Sequence, residues 1–380
     1  MDKGECIMPP ISLLIKPASG NCNMRCQYCF YYDITQNREQ ASYGFMSEET
    51  LEQVIKKALE FAEGSCTVAF QGGEPTLRGL NFFKKCLEYE KKYNTKNLTI
   101  HNSIQTNGYK LDEEWAKFLA ENHYLVGISM DGNKDSHNAY RKSCNGGDTF
   151  FDILKNIDLL KKHQVEFNIL TVVNRRNSQK TRKMYQFFKK NDLKYLQFIP
   201  CLDPLGEVPG QREYSLTPED YGQFLMDLFD LWYDDLMKGD QPYIRQFENY
   251  IGILAGYHPE ACDQCGVCNY QYVVEADGEV YPCDFYVLDE YKLGNLKDCT
   301  IEQIDEKRKE TGFVEYSLTD HLHCRKCRYY AICRGGCRRH RSLTDEQGNH
   351  LNYFCKSYQM LFDHSLERMI GVARTLQNRR

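Results

Sequence analysis

Eighteen of the 380 residues are cysteine, and their uneven placement constrains this chain more than any other feature. Cys22, Cys26 and Cys29 fall within eight residues, nine more form close sets between Cys262 and Cys355, and Cys6, Cys66, Cys86, Cys144, Cys201 and Cys299 stand singly. In a reducing compartment such clusters read as metal binding rather than as a disulfide framework. The rest of the sequence points to that compartment. No run approaches the ~18 apolar residues of a membrane span, and the start, Met-Asp-Lys-Gly-Glu-Cys-Ile-Met-Pro-Pro, lacks the apolar stretch of a secretory signal. A cytoplasmic, membrane-free protein is expected, with Met8 as an alternative start. With 53 acidic and 48 basic residues the net charge is −5, which argues against a surface built to coat nucleic acid. A 42% hydrophobic and 27% charged composition suits a globular chain of two or three domains.

The first two hundred residues alternate β-rich apolar runs with amphipathic stretches. Candidate strands are Ile11–Lys16, Thr67–Gln71, Leu98–Ser103, Leu125–Ser129, Phe167–Val173 and Tyr195–Ile199. Between the first two, Glu48–Ala62 places Leu51, Val54, Ile55, Ala58 and Leu59 on one helical face behind a Ser47 N-cap. Repeated strand–helix units imply an α/β fold with a parallel sheet, either a barrel or a doubly wound sheet. In both, the C-terminal strand ends carry the chemistry, and the polar, glycine-rich segments follow those ends. They are Ala-Ser-Gly-Asn-Cys22, Gln71-Gly72-Gly73-Glu74-Pro75, Gln105-Thr106-Asn107-Gly108, Ser129-Met130-Asp131-Gly132 and Cys201-Leu202-Asp203-Pro204. From Ser215 to about Tyr257 the pattern is helical. A hairpin is expected around Ala276-Asp277-Gly278, where Asp-Gly suits a type I′ turn, and a final helix over about Ser357–Leu376.

Cys22-x3-Cys26-x2-Cys29 offers three thiolates, whereas a closed zinc site wants four ligands and so does a four-iron cluster that only carries electrons. A zinc site completed from a distance, or three core cysteines, would also fit the spacing. With Tyr28 before the last cysteine, and at the end of a first strand, this motif resembles that of the radical S-adenosylmethionine enzymes. The resemblance implies a [4Fe–4S] cluster on Cys22, Cys26 and Cys29, with an open iron that binds S-adenosylmethionine and cleaves it to a 5′-deoxyadenosyl radical. Gln71-Gly72-Gly73-Glu74 resembles the family's glycine–glycine–glutamate motif, in which the Gly73 region receives the cofactor's amino group. Ser129 and Arg141 match positions that hold ribose and carboxylate, and Tyr28 and Leu202 match other cofactor contacts. The family also implies that the barrel is incomplete and open on one side.

Among the later cysteines, Cys262-x2-Cys265-x2-Cys268, Cys283, Cys324-x2-Cys327-x5-Cys333-x3-Cys337 and Cys355 supply nine thiols, one more than two four-ligand clusters need. Alone they would fit zinc ribbons, and the arginines and tyrosines around them would fit nucleic acid. With the N-terminal half they resemble the auxiliary-cluster (SPASM) domain of radical peptide-modifying enzymes. That pattern implies one auxiliary [4Fe–4S] cluster on Cys262, Cys268, Cys283 and Cys337, and another on Cys324, Cys327, Cys333 and Cys355. Cys265 is then spare, and the arginines offset cluster charge rather than bind nucleic acid. The implied architecture is a partial (β/α)6 TIM-type barrel over residues 1–230, a helical connection over 231–257, and an auxiliary-cluster domain with its closing helix over 258–380.

Within that group the chain resembles the anaerobic sulfatase-maturating enzymes over nearly its whole length. The most discriminating stretch is Val-Tyr-Pro-Cys283-Asp284-Phe-Tyr-Val-Leu-Asp. The resemblance implies oxidation of a cysteine, or also a serine, to formylglycine in an unfolded sulfatase carrying a Cys/Ser-x-Pro-x-Arg motif. Hydrogen abstraction from the β-carbon would be followed by proton loss to a base, for which Asp284 is the candidate, and by electron loss to an auxiliary cluster. Asp131 and Asp203 also sit on the rim, and Tyr31 and Gln71 are candidate substrate contacts. Reduced ferredoxin or flavodoxin is the expected electron donor and a monomer the expected state. The competing reading is another auxiliary-cluster maturase that makes thioether or carbon–carbon cross-links. Many of those carry a leader-recognition domain, for which too little chain precedes Cys22.

Overall fold

Each of the six apolar runs forms a strand, and their order decides between the two architectures left open by the sequence. The computed structural model describes residues 10–318, 322–344 and 350–377. Cys6 and Met8 lie outside the described residues. The strands are Ile11–Ile15, Ser65–Phe70, Thr99–Thr106, Leu125–Ser129, Phe167–Val173 and Tyr195–Pro200. They lie side by side in chain order, each neighbouring pair parallel. A doubly wound sheet reverses its order at a switch point; an unbroken order with helices between strands is that of a (β/α) barrel. The first and sixth strands do not pair with each other, so the barrel is partial.

Their outer edges are occupied by other strands. Tyr243–Ile244 pairs with the sixth strand, and Tyr272–Val274 runs parallel to the first, with Leu13 opposite Tyr272 and Ile15 opposite Val274. Glu279–Tyr281 and Gly294–Asn295 extend that edge in antiparallel fashion, giving a ten-stranded sheet. The cysteine-rich segment is therefore hydrogen-bonded directly to the barrel. Its hairpin differs from the type I′ expectation. Only Gly278 has positive φ (94°), and the Gly278 N–H donates to Glu275 O at 2.9 Å while Glu275 N–H donates to Glu279 O at 2.9 Å. This is a three-residue loop closed by a left-handed glycine, which leaves Asp277 in ordinary backbone space.

Local sequence accounts for the helices. Ser47 caps Glu48–Phe61 by accepting from Thr50 N–H, and Leu51, Val54, Ile55, Ala58 and Leu59 are all buried against the sheet. Each such side chain contributes about 1.5–3 kcal/mol on burial. The helical stretch after Ser215 divides into Pro218–Leu236 and Arg245–Leu254, because the short Tyr243–Ile244 strand interrupts it. The last helix, Cys355–Gln377, packs along Pro218–Leu236. Gly222 makes this close approach feasible, since a Cβ there would lie 2.6 Å from Met360 Sδ and 3.2 Å from Ser357 Cα. No described helix is long and apolar enough to cross a membrane.

Candidate active site and cluster-binding cysteines

The first strand runs into the three-cysteine loop, which is fixed from three sides. Met24–Cys26 forms a ribbon with Arg141–Ser143 that sets Cys26 opposite Arg141. Cys29 caps the Phe30–Gln36 helix, its sulfur accepting from Tyr32 N–H at 3.4 Å, and Cys22 sulfur accepts from Met24 N–H at 3.4 Å. At the second strand's exit Gly73 (φ +53°) lies against the loop's start, where a Cβ would meet Asn21 O at 2.2 Å and Ser19 O at 2.6 Å. Glycine is thus required for packing the cysteine loop, apart from any ligand. Burial pushes the Cys22 thiol up to about 12 and the Cys26 thiol up to about 11, and the neighbouring thiols add to both shifts. Cys29 moves the same way for the same first cause. Three neighbouring thiols, Cys22 exposed and Cys26 and Cys29 half-buried, with backbone N–H groups aimed at two of them, suit thiolates bound to metal, which inverts this protonation logic.

By mutual influence the later cysteines form two neighbourhoods, and Cys262 responds to both Cys268 and Cys265. The Cys283 thiol is raised by burial and then by Cys337 and Cys268, and Cys337 by burial and by Asp263, Cys262 and Cys268. Cys333 is pushed up to about 12 by burial, with Cys355, Cys324 and Cys327 adding to it. Cys265 faces elsewhere: its sulfur lies 3.4 Å from Ala261 O and 3.7 Å from Pro259 O. Among the described residues no three histidine, cysteine or acidic side chains meet closely enough to share one metal ion. In a cubane each thiolate holds its own iron rather than sharing one ion. The three thiols of the loop and two sets of four fit three [4Fe–4S] clusters.

Asp284 is nearly buried (9% exposed) and follows the antiparallel strand Glu279–Tyr281. Its Oδ2 accepts from Gln71 Nε2 at 2.6 Å, and its Oδ1 accepts from Lys16 Nζ. Lys16 in turn rests on the ring of Tyr31, 3.8 Å from its centroid. The Tyr31 hydroxyl donates to Glu275, which pairs with Arg38 at 2.8 Å. Gln71 and Asp284 are therefore hydrogen-bonded to each other, whereas the Tyr31 hydroxyl is engaged with Glu275. Sequence reasoning gave Lys16, Glu275 and Arg38 no role. A lysine ending an apolar strand at the C-terminal rim was the available signal for Lys16.

The remaining candidates form a second group. The Tyr28 hydroxyl donates to Asp131 and accepts from Arg141 Nη1 at 3.2 Å. Arg141 Nε is buried and has no protein partner, an unsatisfied donor beside the cysteine loop. Burial raises the Asp131 carboxyl against the opposing pull of Arg141. Ser129 ends the fourth strand and accepts from Gln105 Nε2 at 3.1 Å. Leu202 follows the sixth strand, half-buried. Asp131 and Asp203 use their oxygens within the fold: Asp131 also accepts from Val172 N–H at 3.2 Å, and Asp203 accepts from Ser215 and from Gly210 N–H at 3.1 Å. Several arginines near the later cysteines donate to backbone carbonyls. Arg338 reaches Phe313 O at 2.9 Å, Arg339 reaches Asp203 O at 3.1 Å, and Arg341 reaches Gly336 O at 3.0 Å.

A partial barrel with a three-thiol loop at its first strand exit, joined to a cysteine-rich hairpin domain, defines the radical S-adenosylmethionine enzymes that carry an auxiliary-cluster domain. Residues 17–188 match the Radical SAM superfamily, and residues 255–337 match the SPASM iron–sulfur cluster-binding domain. A cysteine-type anaerobic sulfatase-maturating enzyme of Clostridium perfringens is 49% identical over 370 residues, 97% of this chain and 100% of that one. A serine-type enzyme of Bacteroides thetaiotaomicron is 34% identical over 389 residues, 97% of this chain and 92% of that one. The solved structure of native anSMEcpe with bound AdoMet and the Cp18Cys peptide superposes with a TM-score of 0.91 at 49% identity, covering 97% of this chain and 100% of that one. The chain belongs to the anaerobic sulfatase-maturating enzymes.

Proposed function

We propose that this chain oxidises one cysteine of a sulfatase polypeptide to formylglycine, and that Asp284 is the base. The observation that carries the reading is the pairing of the auxiliary hairpin with the first strand. It brings Asp284, directly after Cys283, within 2.6 Å of Gln71 at the second strand's exit. The 49% identity to a cysteine-type enzyme supports cysteine as the target, and serine oxidation is the variant to test beside it.

In this assignment Cys22, Cys26 and Cys29 hold the radical cluster, and Tyr28, Gly73, Ser129, Arg141 and Leu202 surround S-adenosylmethionine. Cys262, Cys268, Cys283 and Cys337 hold one auxiliary cluster, and Cys324, Cys327, Cys333 and Cys355 the other. When bound, these groups supply hydrogen-atom abstraction from the substrate β-carbon and take up one electron. The chain's own residues manage the proton. A carboxylate near 4 is a weak base toward a thiol near 8.5, but loss of the β-hydrogen makes the adjacent S–H or O–H far more acidic, so proton transfer to Asp284 becomes favourable. Loss of the β-hydrogen, the thiol proton and one electron leaves a thioaldehyde, which water hydrolyses to the aldehyde with release of hydrogen sulfide. The working division is a radical barrel over residues 1–230, a helical connection over 231–257 and the cluster domain over 258–380. We further assign a cytoplasmic monomer with reduced ferredoxin or flavodoxin as donor and no nucleic-acid partner.

Mass spectrometry on an anaerobic, reconstituted reaction with S-adenosylmethionine, reductant and a Cys-x-Pro-x-Arg peptide tests the proposal. An aldehyde at the cysteine together with 5′-deoxyadenosine is expected. Deoxyadenosine without peptide oxidation would move the substrate assignment elsewhere.

A further inference from the structure

We propose that Lys16 is a positioning residue for the proton-transfer step, holding the Asp284 carboxylate in the orientation from which it meets the substrate. The inference rests on the reading of Asp284 as the base.

Lys16 is fully buried (0% exposed), although a buried ammonium is tolerated only when paired. Its partners are Oδ1 of Asp284, 268 positions away in sequence, and the face of Tyr31. Gln71 holds the other carboxylate oxygen at 2.6 Å. Each oxygen therefore has one fixed donor, arriving from a different strand exit. Only the remaining lone pairs can accept a substrate proton. With either donor lost, one oxygen has no fixed donor and the carboxylate is held at a single point.

The surroundings of Lys16 are shaped for this course. Gly72 has φ +100°, and a Cβ there would lie 2.7 Å from Lys16 Nζ and 2.8 Å from its Cγ. The first glycine of the Gly-Gly-Glu stretch thus forms the floor over which the lysine passes. Lys16 N–H donates to Val274 O at 2.8 Å, and Gln71 N–H donates to Ile15 O at 3.0 Å, so the two side-chain donors are anchored on adjacent strands. Behind them Glu275 and Arg38 lock Tyr31 in place. This run of buried residues terminates on the carboxylate beside Cys283. An ion pair that merely joined the two halves of the sheet would affect folding. A positioning lysine affects how often an abstracted hydrogen leads to an aldehyde.

The test uses the reconstituted holoenzyme and a target peptide deuterated at the cysteine β-carbon. Lys16→Met should keep its iron and sulfide, bind peptide with a near-normal KM and still transfer deuterium into 5′-deoxyadenosine. Aldehyde formed per deoxyadenosine should fall about ten- to hundred-fold, as expected for a misaimed reacting group. Lys16→Gln, a neutral donor with a shorter reach, should fall between Lys16→Met and the parent. Unchanged coupling in Lys16→Met, or a parallel loss of deuterium transfer and aldehyde with clusters intact, overturns the proposal. Should Lys16→Met fail to fill its clusters, Lys16→Gln decides: reduced coupling supports the proposal and parental coupling overturns it. A parent enzyme that makes deoxyadenosine but no aldehyde would instead overturn the reading of the function, and the role of Lys16 with it.

Discussion

The backbone N–H of Leu205 donates to the Asp33 carboxylate at 2.8 Å, tying the exit of the sixth strand to the helix that follows the cysteine loop. The first and sixth strands do not pair with each other, so this bond links the two flanks of the barrel's gap. Leu205 also packs against the apolar group of Leu14, Tyr31 and Ile34, and Arg339 holds the neighbouring Asp203 carbonyl from the cluster domain. The bond acts as a strap between these two flanks. Asp33→Ala removes the bond from Leu205 N–H, worth about 1.5 kcal/mol to a charged acceptor at a half-buried site, together with the exposed bond from Asn37 Nδ2 at 3.1 Å. Trypsin should then cut at exposed Arg212 about tenfold faster, and peptide KM should change while the cluster content does not. Unaltered cleavage would show that the strap is held by other contacts.

Glu74 carries the link between the second strand and the cysteine loop. The residue is 1% exposed, with burial raising its carboxyl. It accepts from Thr76 N–H at 3.1 Å, Thr106 Oγ1 at 2.7 Å and Asn107 N–H at 2.8 Å. Asn107 in turn donates to Asn23 at 2.8 Å, beside Cys22. Glu74→Gln would set an amide N–H against one of these donors, an unsatisfied pair costing about 1–3 kcal/mol. A lower Tm is expected, with the signal of the S-adenosylmethionine-responsive cluster weakened in electron paramagnetic resonance and the auxiliary signals kept. Equal loss of all three signals would mean that Glu74 supports the whole fold rather than the loop.

Two buried histidines predict an acid weakness. Burial holds the His340 imidazole down at about 3, with Arg339 adding to the shift, and burial likewise depresses His137 well below its ordinary value. A histidine whose folded value is depressed binds fewer protons folded than unfolded. Its contribution is therefore complete above about 6.5 and is lost as pH falls below that value. The anaerobic Tm should decline between about pH 6.5 and 5 more steeply than carboxylate protonation alone would give. His137→Gln, which can still reach Thr149 (3.1 Å from the ring in the parent), should flatten that decline. An unchanged slope would put the titration elsewhere.

The barrel strands and the three-cysteine loop were legible because their signals are local. Six apolar runs with polar exits and a C-x3-C-x2-C loop can be read without knowing what packs on what. Asp284 was legible only by its position after Cys283. What could not be read was the partner of each buried charge. Lys16 and Asp284 meet because Tyr272–Val274 docks on the first strand, and no short-range pattern announces that pairing. The hairpin turn failed for a different reason. Asp-Gly favours a type I′ turn in isolation, but here the hydrogen bond between Gly278 N–H and Glu275 O sets a longer loop. The arginines around the later cysteines were legible only as charge, since a sequence does not show the carbonyls to which they donate.

Cys265 offers the sharpest test of how the auxiliary thiols are divided. It lies between Cys262 and Cys268 at the same spacing from each, so spacing alone cannot separate ligand from bystander. Their surroundings differ, although Cys262 responds to both. The Cys265 sulfur is turned toward Ala261 O and Pro259 O, and after burial its thiol responds to Arg334 and Asp263. Cys283 and Cys337 both respond to Cys268 instead. Cys265→Ala should therefore keep the parental iron and acid-labile sulfide content and both auxiliary signals. Cys268→Ala should lose one auxiliary cluster while the other and the radical cluster remain. The loss of a cluster in Cys265→Ala, with Cys268→Ala intact, would exchange the two residues in the ligand set. Because Cys265 makes weak thiol contacts to two carbonyls and to the Asn269 side chain, its replacement should shift Tm by no more than about 1 kcal/mol of stability would. Any larger effect would itself count against a bystander role.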